Sequence, residues 1–208
     1  MNTQNFSRLL LLISIVSLIS CQKENTKTQD LTIELNNVQN SARAKKKFTL
    51  GQRHGGGYIF YIDGTGQHGL IVSLNDLIGQ YSWSPSTPGL PIGALSEDGN
   101  LNTNKIVQAY GKVPANSKQY AALAAKRYTA GGFKDWYLPS YLEIQKLNEP
   151  RLAGINLNIA PDLGYITSSE DPFNGGGYQV LYYSSYTYSC FGTSKDNASY
   201  TVRPIRKF

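Results

Sequence analysis

A mainly apolar run near the N-terminus, closed by a cysteine, restricts this chain more than any other feature. The run covers residues 9–18 and follows Arg8. Its length is typical of the apolar part of a secretory signal peptide, whereas a helix that crosses a bilayer needs roughly 20 apolar residues. Residues 18–21, Leu-Ile-Ser-Cys, then have the form of a bacterial lipobox, in which Cys21 is acylated and becomes the first residue of the mature chain. An ordinary signal peptide beside an incidental cysteine is the alternative, and the polar sequence from Gln22 onward favours the lipobox.

The lipobox divides the chain into three parts. Residues 1–20 are predicted to be the signal peptide, residues 21–47 a polar, flexible tether, and residues 48–208 one domain of ordinary size. The predicted location is the bacterial outer membrane, on its periplasmic or its exterior side, with the lipid on Cys21 as the attachment. Because this location lies outside the cytoplasm, chemistry that consumes ATP or NAD is disfavoured and no cofactor is expected.

The positive charge of the chain is concentrated in the tether. The whole sequence has a formal net charge of +6. Residues 22–48 hold Lys23, Lys27, Arg43 and the run Lys45–Lys47 against three acidic residues. The folded domain is therefore nearly neutral, without the domain-wide basic face that nucleic-acid binding needs. No nucleic-acid partner is predicted.

The two cysteines predict a domain without a disulfide. If Cys21 carries lipid, Cys190 is alone, and the stability of the domain has to come from a core, for which its length is sufficient. Cys190 follows a tyrosine-rich stretch and is predicted to be buried and inert. A nucleophilic cysteine would need a histidine partner, and the two histidines, His54 and His68, both lie in glycine-rich turns.

Patterns of β-prone and capping residues predict a mixed α+β domain. Two β-prone runs, Tyr58–Ile62 and Leu70–Leu74, flank a glycine-rich connector, which is typical of a hairpin. Three helices are expected. The first covers residues 104–110, is capped by Asn102 or Thr103 and is closed by Gly111. The second runs from Asn116 or Ser117 to Tyr128, and one of its faces carries Tyr120, Leu123, Ala124 and Arg127. The third is capped by Ser140 and limited by Pro150, and its apolar side carries Leu142, Ile144, Leu147 and Leu152. The remaining strands are expected at residues 164–169, 178–190 and 200–207.

Two apparent ligand-binding motifs do not meet their structural requirements. Gly64, Gly66 and Gly69 match a dinucleotide-binding spacing, but a β-prone run follows where a helix is required. Residues 98–102 resemble the start of a calcium loop, yet its sixth and twelfth positions are Thr103 and Ala109 instead of glycine and glutamate. Neither a nucleotide nor a metal ion is predicted.

Four stretches of the domain resemble, in order, those of one protein family. They are residues 55–70, with Gly-Gly-Gly-Tyr-Ile-Phe-Tyr-Ile and Gly-Gln-His-Gly-Leu; residues 99–107; residues 131–140, Gly-Gly-Phe-Lys-Asp-Trp-Tyr-Leu-Pro-Ser; and residues 202–208. The third stretch is the most specific. The chain thus resembles the Lcl C-terminal domain family, named after collagen-like bacterial surface adhesins.

The resemblance implies a C-type-lectin-like α+β fold in which the first and last strands pair. It also implies extracytoplasmic binding, with sulfated glycosaminoglycans or other surface glycans as ligands. Calcium-dependent sugar binding is not implied, because the Glu-Pro-Asn, Gln-Pro-Asp and Trp-Asn-Asp motifs of such lectins are absent. The cysteine pair of formylglycine-generating enzymes, which share the broad fold, is absent as well.

The family's most specific motif has a structural interpretation. A residue before proline is held extended, so the segment that ends at Pro139 enters the helix capped by Ser140 at a fixed angle. Trp136 is therefore predicted to pack in the core instead of contacting a ligand.

A tyrosine-rich stretch and two arginines form the predicted ligand site. Strand alternation puts Tyr182, Tyr186 and Tyr188 on one face, and Arg203 and Arg206 lie near the C-terminus on opposite faces of the last strand. Exposed tyrosine rings stack on sugars, and arginine binds sulfate or carboxylate groups. Two alternatives remain: the tyrosines fill an interface inside the domain, and either arginine pairs with a carboxylate.

These features favour a binding protein over an enzyme. The expected function is that of an adhesin or a glycan-binding surface lipoprotein, with a polysaccharide as partner. The alternative is an envelope lipoprotein that assembles with other proteins, since exposed tyrosine also enriches protein interfaces. No pair of carboxylates stands out for acid–base hydrolysis, and the oligomeric state is left open.

Overall fold

The computed structural model describes residues 47–85, 91–111, 119–173 and 179–208. Cys21, the predicted signal peptide and nearly all of the tether lie outside these ranges, as do the predicted cap residues Asn116 and Ser117. Within them the strands are β1 (Arg53–His54), β2 (Gly57–Ile62), β3 (Gly69–Ser73), β4 (Gly164–Glu170), β5 (Gln179–Ser184), β6 (Ser189–Ser194) and β7 (Ile205–Lys207). The helices are α1 (Gly99–Tyr110), α2 (Ala121–Arg127), α3 (Tyr141–Gln145) and α4 (Asn148–Leu152).

The strands form two antiparallel sheets, so the predicted α+β class is confirmed. The first sheet has the order β1-β2-β3-β7 and the second the order β4-β5-β6. The predicted hairpin is β2–β3, in which Tyr58 pairs with Val72 and Ile59 with Ile71. The glycine-rich connector is a turn, in which Thr65 donates its amide and hydroxyl hydrogens to Asp63 Oδ1.

The last strand does not pair with the first. β7 pairs with β3, where Leu70 faces Lys207 and Val72 faces Ile205. Its pairing with the first strand of the hairpin is excluded because β2 already has β3 on one edge and β1 on the other. β7 therefore takes the free edge of β3, and the expectation that first and last strands pair was wrong.

Helix α1 begins earlier than predicted. Asp98 caps it, because its carboxylate accepts a hydrogen bond from the Asn100 amide at 2.9 Å. The two predicted caps are buried inside the helix: Asn102 donates to Ser96 O, and the Thr103 hydroxyl accepts from the Leu138 amide. Tertiary contacts thus use the polar side chains that the sequence suggested for capping. The predicted end at Gly111 is confirmed, with φ at 72°.

The first five residues of helix α2 are buried on all sides, not on one face. It spans only Ala121–Arg127, and every residue from Ala121 to Ala125 is buried. Small alanine side chains let the surrounding elements approach closely, whereas Arg127, which was expected on the buried face, is exposed.

The predicted third helix is two short helices in succession. Ser140 caps α3 as predicted, in a reciprocal capping box with Glu143. Pro150 lies inside the first turn of α4 and does not limit the helix. Backbone amides in the first turn of a helix have no intrahelical partner, so a proline, which lacks the amide hydrogen, is tolerated there. Leu152 was expected on the apolar side but is 75% exposed.

The Glu143 carboxylate also joins the starts of two helices. Its Oε2 accepts hydrogen bonds from the amides of Ser140 and Gly99, and its Oε1 accepts one from the Tyr137 hydroxyl. Burial raises the pKa of this carboxyl above its ordinary value. One side chain therefore fixes α1 against α3.

Trp136 lies in the core, as predicted. It is 2% exposed and packs with Ile59 and Ile71, one strand pair of the first sheet. The Tyr128 ring contacts it edge to face, with centroids 5.2 Å apart. Among the described residues, the indole N–H has no hydrogen-bond partner. The segment before Pro139 thus serves the fold, in line with its extended pre-proline geometry.

The predicted strand over residues 178–190 was wrong. β5 ends at Ser184, a turn follows, and β6 returns beside β5 so that Tyr182 faces Phe191 and Tyr183 faces Cys190. At the turn, the Tyr188 amide donates to Ser184 O, and Tyr188 has a φ of 58°. Of the last predicted strand, residues 200–207, only β7 is regular; Tyr200 and Thr201 make isolated bridges.

Candidate ligand-binding surface

Arg203 is an internal structural residue. It is 1% exposed, and its Nη1 donates to Asp76 Oδ1 at 2.8 Å. It also donates to the carbonyl oxygens of Leu74, Leu157 and Asn158. These bonds hold the loop after β3 and the loop after α4 together, and they leave the guanidinium without access to a ligand.

Arg206 forms an ion pair at the first sheet. Its Nε and Nη2 donate to the two carboxylate oxygens of Asp135, each at 2.8 Å. These bonds lower the pKa of Asp135. The Phe133 ring covers the guanidinium, with the ring centroid 3.8 Å from Cζ. Both arginines thus pair with a carboxylate, which was the alternative to a role in ligand binding.

Tyr186 and Tyr188 lie in the β5–β6 turn and not on the face of Tyr182. Alternation fails for them because the chain reverses between Ser184 and Ser189. The Arg151 guanidinium lies 4.7 Å from the Tyr188 ring centroid and donates to Ser185 O, so it fixes the turn against α4. Tyr186 is 75% exposed. Within the described ranges, no hydrogen bond or ring contact joins these two tyrosines to Arg203 or Arg206.

Tyr183 and Cys190 face the interior from the opposite side of β5 and β6. Tyr183 is fully buried and donates its hydroxyl hydrogen to Asn148 Oδ1 at 2.7 Å. Cys190 is half-buried, less than predicted. Burial raises the pKa of its thiol to about 12, so the thiol is protonated at neutral pH and is a poor nucleophile.

Three aromatic rings form a continuous surface beside the second sheet. The ring centroid of Tyr182 lies 5.8 Å from that of its cross-strand neighbour Phe191 and 4.6 Å from that of Tyr200. The planes are tilted by 36° and 34°. Tyr182 and Tyr200 are half-buried, and Phe191 is 44% exposed. We call Tyr182, Phe191 and Tyr200 the aromatic trio.

The trio is held in place by the second sheet and by the residues that follow it. Tyr200 packs on Gly164 of β4, where a Cβ atom would lie 2.8 Å from the tyrosine ring. The Tyr200 hydroxyl donates to Thr193 Oγ1 at 3.0 Å, and Asn197 Nδ2 donates to the same oxygen at 3.3 Å. The rings are therefore fixed before any ligand arrives, which lowers the entropy cost of binding.

The Tyr182 phenol in the trio is uncharged at neutral pH. Burial is the main cause that raises the pKa of Tyr182 above its ordinary value, and the neighbouring Tyr200 raises it further. The phenol therefore stays protonated at physiological pH. The trio offers apolar ring surface together with hydroxyl and amide groups at its edge.

The sequence pattern predicted Tyr182 as a site residue but not Phe191 or Tyr200. The missed signal was the polar stretch of residues 184–189, Ser-Ser-Tyr-Thr-Tyr-Ser. Serine and threonine favour turns, so a hairpin at this point would have placed Phe191 opposite Tyr182. Tyr200 offered no comparable signal, because it reaches the trio from an irregular segment.

A concave region lies at the first sheet. It has a volume of about 460 Å³ and is lined by Tyr61, Leu70, Lys146 and Phe208 among others. Lys146 Nζ lies 4.2 Å above the Tyr61 ring, and Lys207 pairs with Asp98 at 2.7 Å. The cations that line this groove are thus already engaged with groups of the domain.

No protein-family model matches this chain, and a search of curated proteins gave no match. The resemblance to the Lcl C-terminal domain family therefore stays a prediction. Within the described ranges, no helix is long and apolar enough to cross a bilayer. The same ranges contain no group of three or more His, Cys, Asp or Glu side chains placed to hold a metal ion.

Proposed function

We propose that this chain is a lipid-anchored, extracytoplasmic binding protein whose domain binds glycans through the aromatic trio. The observation that carries the proposal is the exposed Phe191 ring beside the fixed rings of Tyr182 and Tyr200. Aromatic rings provide a large contact area with few rotatable bonds. The C–H face of a sugar can pack on such rings while its hydroxyls bond to the polar groups at the edge.

The proposal includes a C-type-lectin-like arrangement of the domain, in keeping with the family resemblance. Two features support it. The hairpin β2–β3 and the closing strand β7 share one sheet, so both ends of the domain meet there. The second sheet and the helices lie between these segments in the sequence.

Phe191→Ala is expected to weaken glycan binding by about tenfold or more, because it removes the most exposed ring of the trio. The wild-type full-length protein is first screened on a glycan array. The measurement is then the equilibrium binding of each protein to the glycans that captured the wild type on the array. Phe173→Ala is the matched control, since Phe173 is 91% exposed and lies outside the trio. This control is expected to bind like the wild type.

Circular dichroism and urea unfolding should show that both variants are folded. Equal affinity of Phe191→Ala and the wild type would exclude the trio as the glycan site. Loss of a co-purified envelope protein in Phe191→Ala, without any glycan binding by the wild type, would favour the alternative of protein assembly.

Cys21→Ser is expected to abolish lipidation and membrane retention, because serine lacks the thiol that the lipobox presents for acylation. The measurement is detergent phase partitioning of the protein expressed in a bacterial host, with metabolic labelling by a fatty acid. Cys190→Ser serves as the control and should still enter the detergent phase. A Cys21→Ser protein that stays in the detergent phase would show that the anchor lies elsewhere.

A further inference from the structure

The second sheet presents almost no charge around the aromatic trio. Strands β5 and β6 contain no charged residue, and the one in β4 is Glu170. Glu170 is buried in an ion pair with Lys195, which is also buried. The next charged residue along the chain, Asp196, is exposed and negative. The surroundings of the trio therefore offer a sulfate or carboxylate group no free cation from this sheet.

Three arginines of the described residues outside this sheet are engaged with groups of the domain. Arg203 and Arg206 are buried in ion pairs with Asp76 and Asp135. Arg151 contacts Tyr183 and Tyr188, and Tyr183 lies on the opposite face of β5 from Tyr182. An anionic ligand on the trio would thus lose water without gaining an ionic partner from the second sheet or from these three arginines, which is unfavourable.

The polar groups beside the rings suit an uncharged ligand. Thr193 Oγ1 accepts hydrogen bonds from Tyr200 and Asn197, so a hydroxyl, a phenol and an amide form one network. Groups of this kind exchange hydrogen bonds with sugar hydroxyls as both donors and acceptors. They do not supply the positive charge that arginine brings to the recognition of sulfate.

We infer that the ligand of the aromatic trio is an uncharged polysaccharide and not a sulfated glycosaminoglycan. This inference rests on the proposed glycan-binding function and names its ligand class. Ring stacking and neutral hydrogen bonds would supply the affinity, so binding should depend little on salt.

The test immobilises biotinylated dextran, pullulan, galactomannan and heparin on a biosensor and measures binding of the full-length protein. Sodium chloride is varied from about 0.05 to 0.5 M, a range over which interactions between exposed charges become strongly screened. We expect at least one neutral polysaccharide to bind, with an affinity that changes by no more than about twofold across this range. The same binding should be weakened about tenfold or more by Phe191→Ala and unaffected by Phe173→Ala.

Two other outcomes would overturn the inference, and they differ in what they say of the proposed function. Heparin binding that falls steeply with salt and is lost in Phe191→Ala would place an anionic glycan on the trio, so the proposed function would stand and the inference would fail. Absence of binding to all four polysaccharides by the folded protein, together with an empty glycan array, would overturn both.

Discussion

Glu170→Ala is expected to destabilise the domain by about 3–5 kcal/mol, because it removes the carboxylate that pairs with a buried ammonium group. Glu170 accepts a hydrogen bond from Lys195 and also from the amides of Ile92 and Ala94, at 2.8 and 2.7 Å. The truncation would leave both amides without this acceptor and would remove one partner of the ammonium group. Burial already lowers the pKa of Lys195, and the nearby Trp83 ring, 4.3 Å away, only partly replaces a carboxylate.

Urea unfolding of the full-length protein, followed by tryptophan fluorescence, measures this effect. Lys207→Ala is the matched control, because Lys207 and Asp98 form a pair at the surface, and such pairs contribute only about 0–1 kcal/mol. The double variant Glu170→Ala with Lys195→Met should recover part of the loss, since neither charge of this pair then remains buried. If Glu170→Ala costs no more than Lys207→Ala, the Glu170–Lys195 pair is hydrated in solution.

Trp136→Ala is expected to cost about 3–5 kcal/mol in the free energy of unfolding, as large aromatic truncations in cores do. The indole is 2% exposed and fills the space between Ile59, Ile71 and Tyr128. Alanine would leave a cavity on one face of the first sheet, behind the segment that leads into α3. The measurement is again the urea midpoint, compared at constant m-value.

Trp136→Phe provides the control for this prediction. Phenylalanine keeps an aromatic ring and removes an indole N–H that has no partner in the part of the chain that the structure describes, so its cost should be clearly smaller than that of alanine. A Trp136→Ala protein that unfolds like the wild type and yet loses glycan binding would contradict the structural role and would move the ligand site to this segment.

The sequence alone determined the features that depend on near neighbours. The hairpin β2–β3, the cap at Ser140 and the helix end at Gly111 each follow from a few adjacent residues, because turn and cap geometry limits which residue types fit. The burial of Trp136 follows from the extended backbone before Pro139. These predictions held because local backbone geometry and the surrounding fold favour the same conformation.

The start of α1 shows how tertiary contacts override a local signal. Asp98, Asn102 and Thr103 are all good capping residues, and the predicted cap was Asn102 or Thr103. Asn102 and Thr103 bond to Ser96 and Leu138 in the fold, which leaves the capping role to Asp98. Nothing near these residues in the sequence distinguishes a cap from a buried hydrogen-bonding group.

The candidate site depended on tertiary structure in the same way. Strand alternation assigns faces only while a strand continues, and the turn at residues 185–188 moved Tyr186 and Tyr188 away from Tyr182 and brought Phe191 beside it. Arg203 meets Asp76 across 127 positions of sequence and Arg206 meets Asp135 across 71. The sequence thus determined that exposed aromatic residues and two arginines were available. Only the tertiary structure decided which rings meet and that both arginines are neutralised by carboxylates. The physical reason is that ion pairs and ring clusters form between residues that no local pattern connects.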